Sequence, residues 1–179
     1  MTPSGWHDDA RSRDAGHDEM QAAAYRYERA NGRTEITIGA DEKATKYRRE
    51  GVYFEMPLYG PKGGISTFID VFSRFLAEPT PDPSRPNGVS LVKHPELWVC
   101  YEIKPRIYSV GATIRQCRAT DYAASSSRLW PNANAGTSWD THRTPKVRVV
   151  PVVPHDDPKL GLLKEFWPTV WAFHAAAPT

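Results

Sequence analysis

Phe68-Ile69-Asp70-Val71-Phe72 and Trp98-Val99-Cys100-Tyr101-Glu102-Ile103-Lys104-Pro105 are two apolar runs, each interrupted by charge. Both read as strands with buried surroundings. A lone carboxylate or ammonium is costly to withdraw from water unless it is paired or holds a metal ion. Charges placed here therefore mark a site more readily than a scaffold.

Side chains alternate along a strand, so Glu102 and Lys104 project to one side together with Trp98 and Cys100. If the strand carrying Asp70 lies alongside at the usual spacing of about 4.8 Å, Asp70 and Glu102 can share one divalent cation. The carbonyl of Ile103 is a further candidate donor. Such a cation lowers the pKa of a bound water and neutralises charge developing on a phosphodiester. Lys104 is placed to orient or help deprotonate that water, or to sit against the phosphate.

Outward from these runs, 52–58 alternates as a strand, and Gly60-Pro61 with Gly63-Gly64 supplies a hairpin turn into 65–73. The turn is not a phosphate loop, because Lys62 is not followed by Ser or Thr and no helix opens there. The Pro-rich stretch 78–88 reads as a surface excursion. After Pro105, Ser109 is a candidate N-cap for a helix to about 124, and 147–153 is a further strand with Pro151 near its end. Upstream, 18–30 reads as a helix and 34–38 as a short strand. The segment 41–50 reads as a second helix closed by Gly51, and Glu55 is central in the strand that follows. Downstream, 125–145 is a polar loop holding Arg128, Trp130 and Trp139. The apolar spacing of 160–175, interrupted by Pro168, predicts a helix covering the sheet.

The Asp, Glu-x-Lys and following-helix order resembles the PD-(D/E)xK nuclease superfamily. Asp70 stands at the aspartate motif, with Ile69 in place of its proline, and Glu102-Ile103-Lys104 at the second motif. Glu42 stands where an acidic residue of a preceding helix would fall, with Glu55 as its competitor. Gln116 matches a glutamine on the following helix, while Thr120 stands where a tyrosine is frequent. A Glu-x-Lys triplet alone is uninformative at ordinary charged-residue frequencies, so the weight lies in this context.

The resemblance covers about 41–153 and implies a restriction-endonuclease-like α/β fold, an αβββαβ core with a mixed sheet flanked by helices. It implies a Mg²⁺-dependent endonuclease acting on DNA, with Mn²⁺ able to substitute, of the kind found in restriction, recombination, repair or transposition systems. Asp70, Glu102, Lys104, Gln116 and Glu42 would be catalytic, with Asp70, Glu102 and the Ile103 carbonyl on the metal. The alternative is a catalytically inactive nucleic-acid-binding or assembly subunit with the same fold. Partner protein subunits and self-association are both compatible with either reading.

The 179 residues suffice for one domain, expected at 18–179 after a flexible 1–17. With 23 Lys+Arg against 21 Asp+Glu the formal charge is only +2, so distribution matters more than total. Between 103 and 118 stand Lys104, Arg106, Arg115 and Arg118 without an acid. These three arginines, with Arg128, are the candidate phosphate contacts. The six histidines show no paired ligand spacing, and Cys100 and Cys117 match neither a zinc site nor a disulfide framework. A reducing, cytoplasmic setting is expected, with no secretory signal and no run long enough to cross a membrane.

Overall fold

The computed structural model describes residues 15–40, 44–60, 62–90, 92, 94–127, 129 and 145–174. Helix α1 (Ala15–Asn31) leads into β1 (Glu35–Ile38), β2 (Thr45–Tyr59) and β3 (Ile65–Ala77). A two-strand ribbon, β4 (Thr80–Pro81) with β5 (Val89–Ser90), occupies the Pro-rich excursion. Then come β6 (Glu96–Ile103), α2 (Val110–Ser126), β7 (Lys146–Pro154), α3 (Leu160–Phe166) and β8 (Trp171–Phe173). The chain is an α/β protein whose six-strand sheet has the order β1-β2-β3-β6-β7-β8. The first four strands are antiparallel in turn, and β6, β7 and β8 are parallel. Each parallel crossover carries a helix, as parallel neighbours require.

β6 is buried along its whole length and divides the core in two. Leu97, Val99, Tyr101 and Ile103 pack on the face shared with Met20 and Ala24 of α1. Trp98 and Cys100 pack on the opposite face with Cys117 and Ala124 of α2. A third cluster of Ile107, Val153, Leu160 and Leu163 seats α3. Polar groups clamp α1 to the sheet: Ser73 donates to buried Glu28 Oε1 at 3.1 Å, and Arg49 donates to the Glu28 carbonyl at 2.8 Å. Burial, followed by the Glu28 carboxylate, pushes the Tyr101 phenol far up.

The two long strands twist at one place. Ile69 and Val71, two apart, belong to opposite cores. The pairs Phe54↔Val71 and Met56↔Ile69 bracket Glu55 and Asp70, and Glu55 has a left-handed φ of 48°. A non-glycine residue in that region marks a local departure from regular strand.

Three expectations are corrected. Residues 45–50, expected as the second half of a helix, are strand, because pairing with β1 and β3 outweighs the helical propensity of a Lys- and Arg-rich segment. Gly51 caps nothing and lies at a register shift. The leading helix is α1, which also takes in Ala15 to His17 from the expected flexible tail. Finally, the C-terminal helix stops at Phe166, and Trp171–Phe173 joins the sheet beside β7, since Pro168 has no N–H to continue a helix.

Candidate active site

The β3–β6 ladder runs from Leu76↔Glu96 to Val71↔Tyr101 and stops there. Past its end the Ile103 N–H donates to Asp70 Oδ2 at 2.9 Å, so a carboxylate takes the place of a strand carbonyl. On its other side β6 remains paired to β7 through Ile103↔Val152, and the Lys104 N–H donates to the Val152 carbonyl at 2.9 Å. The end of β6 is thus fixed by β7 while its open edge receives Asp70.

Glu102 lies on the α2 side of β6, 5% exposed. Thr120 donates to its Oε1 at 2.6 Å and the Gln116 amide to its Oε2 at 3.3 Å. The Lys104 ammonium donates to Gln116 Oε1 at 2.7 Å and stands 3.7 Å from Glu102 Oε2. Gln116 therefore bridges the acid and the amine with its two ends. Helical spacing makes this possible, because Thr113, Gln116, Cys117 and Thr120 recur every three or four residues on the face of α2 turned to β6. Burial, then the neighbouring Asp70 charge, raises the Glu102 pKa, against the opposing pull of Lys104 and Thr120.

Helix α1 completes the surroundings of Asp70. Gln21, 1% exposed, donates to the Asp70 carbonyl at 2.9 Å, and His17 Nε2 stands 3.7 Å from Asp70 Oδ2. One turn apart, Gln21 anchors the Asp70 backbone and His17 stands beside its carboxylate. Sequence reading passed over both. The available signal was a polar stripe, His17, Gln21 and Glu28, in step with inward Met20 and Ala24. Thr120, noted only as a departure from tyrosine, is the closest hydrogen-bond donor to Glu102.

Asp70, Glu102, Lys104 and Gln116 are thus brought together. Arg115 and Arg118 are exposed on α2, and Arg106 is exposed with its guanidinium 5.2 Å from the Tyr108 ring centroid. Glu42, Arg128, Trp130 and Trp139 lie outside the described residues. Glu55 faces the Asp70 position across the β2–β3 ladder.

Asp70, Glu102 and the Ile103 carbonyl are the oxygens here that could hold a hard divalent cation. The Asp70 carboxylate is near enough to raise the Glu102 pKa, and the Ile103 carbonyl offers a neutral oxygen nearby. Mg²⁺ is held by few protein oxygens and keeps several waters. Among the described residues no group of three or more His, Cys, Asp or Glu side chains converges as a metal cluster. No described helix is long and apolar enough to cross a membrane. Compared with protein-family models, curated proteins and solved structures, the chain matches none.

Proposed function

We propose that this chain is a metal-dependent DNA endonuclease on a restriction-endonuclease-like core, in which α1, β2, β3, β6, α2 and β7 supply the αβββαβ order. One observation carries the reading: Asp70, on β3, reaches the end of β6 where Glu102 and Lys104 stand joined through Gln116. A buried acid and a partly buried one beside an amine have no evident packing use, since apolar residues of similar volume would stabilise the sheet at least as well.

When bound, Mg²⁺ or Mn²⁺ would supply charge neutralisation at the phosphodiester and a more acidic water. Asp70, Glu102 and the Ile103 carbonyl would hold it. Lys104, steadied by Gln116, presents its ammonium to the attacking water or to the phosphate oxygens. In hydrolysis the water oxygen bonds to phosphorus, the bond to one sugar oxygen breaks, and that oxygen takes up a proton. Thr120 keeps Glu102 oriented throughout, and the Ile103 amide does the same for Asp70.

A second reading, a nucleic-acid-binding subunit with the same fold and no cleavage, is favoured by the absence of a third converging ligand among the described residues. Supercoiled plasmid with Mg²⁺ or Mn²⁺ separates the two. Nicking by the natural chain, abolished in Asp70→Ala and reduced by about 100-fold or more in Lys104→Ala, in variants that stay folded and bind DNA, supports the nuclease. Binding without nicking under any of these conditions supports the subunit, and persistent nicking in both variants excludes this site.

A further inference from the structure

The chain leaving Lys104 forms a rim that is tied down on several sides. The Ile107 N–H donates to Asp157 Oδ2 at 2.9 Å, and Asp157 Oδ1 accepts the Lys159 N–H at 2.9 Å. The Lys159 ammonium donates to the Tyr108 carbonyl, the Ile107 side chain is buried against α3, and Ser109 accepts the Ala112 N–H as N-cap of α2. On this fixed backbone the Tyr108 ring is 74% exposed. Arg106 holds its guanidinium over one face of that ring, so a stacking partner would use the other. Tyr108 follows Lys104 by four residues, so the Cα atoms of the two residues are within about 14 Å of each other.

A ring offered from an anchored loop loses little conformational freedom when something stacks on it. A paired duplex is a poor partner for such a ring, because it presents base edges in its grooves while base faces are covered by their neighbours. An unpaired base exposes a face, and stacking on aromatic side chains with arginines along the backbone is how single strands are held. Further along α2, Arg115, Arg118 and Tyr122 are exposed, Tyr122 at 78%. We infer that Tyr108 is a stacking platform for an unpaired nucleobase on the rim that follows Lys104, and that the substrate is DNA with single-stranded character near the cut. The position of the scissile phosphate rests on the nuclease reading; the stacking does not.

The test is fluorescence anisotropy in EDTA, where nothing is cut, with a labelled mixed-sequence oligonucleotide as single strand and as blunt duplex. The natural chain should bind the single strand more tightly. Tyr108→Ala should weaken that binding by about tenfold or more, the size of one aromatic–base stack, with duplex affinity and Tm unchanged, and Tyr108→Trp should retain it. Unchanged single-strand affinity in Tyr108→Ala, or equal weakening on both forms, overturns the inference. Plasmid nicking indifferent to Tyr108 would leave the nuclease reading standing after that failure. Tyr108-dependent stacking without nicking would remove the nuclease reading alone.

Discussion

The Asp70 carboxylate accepts the main-chain N–H of Ile103 just beyond the end of the β3–β6 ladder. One oxygen thereby does the work of a strand carbonyl, which fixes the side chain at the sheet edge beside Glu102.

That arrangement makes Asp70→Asn informative, because an asparagine oxygen can still accept the Ile103 amide while the charge is lost. Burial and Asp70 raise the folded pKa of Glu102 above the ordinary carboxylate value. A raised acid pKa favours the folded state at low pH, and this contribution is lost as pH rises from about 4.5 through the folded pKa. In EDTA, Asp70→Asn should match the natural chain near pH 4 and melt higher above it, by about 2–4 °C if the gain is about 1 kcal/mol. Mg²⁺ should raise the Tm of the natural chain and not of the variant, and nicking should disappear. A variant less stable than the natural chain at pH 7 without metal would contradict this account.

Thr120→Val tests the hidden partner of Glu102. The two side chains have nearly the same shape, but valine leaves Glu102 Oε1 without its donor in a buried place. A loss of about 1–3 kcal/mol is expected in urea unfolding, whereas Thr120→Ser should stay close to the natural chain. Equal stability of all three would show that the contact carries nothing.

Lys104 and Gln116 should separate by rank. Removing the amine in Lys104→Ala should reduce nicking by about 100-fold or more, as for other groups acting on transition-state charge. Gln116→Ala leaves both charges in place and only frees them, so a smaller loss, about tenfold, is expected at unchanged Tm. A larger defect for Gln116→Ala would give the glutamine a direct role.

The cysteines should be inert in the folded chain. Burial pushes the Cys117 thiol up to about 12 and the Cys100 thiol higher still, with Glu102 adding to both. Thiolate is the reactive form, so a disulfide reagent at pH 8 should label both only in denaturant. Rapid labelling of either in the native state would show that the α2–β6 interface opens.

Much of the frame was readable from local pattern. The hairpin of β2 and β3 follows from its glycine turn, where the Gly60 N–H donates to the Gly64 carbonyl at 2.8 Å. The N-cap at Ser109 and the strand character of β6 and β7 were also plain, since cap chemistry and apolar runs are local signals. The segment 45–50 misled because strand pairing there depends on partners far along the chain. So did the end of α3, where Pro168 halts the helix but only β7 makes Trp171–Phe173 a strand.

Alternation along one strand was enough to put Glu102 and Lys104 on the same side, and the three- and four-residue spacing of α2 was enough to set Gln116 and Thr120 one turn apart. Both are consequences of backbone periodicity and need no fold. That Asp70 meets them was decided in three dimensions, by the twist at Glu55 and Asp70 that sends Ile69 and Val71 into opposite cores. The approach of His17 and Gln21 was decided there too, because a helix finds its sheet through the burial of Met20 and Ala24 and not through anything written beside Asp70.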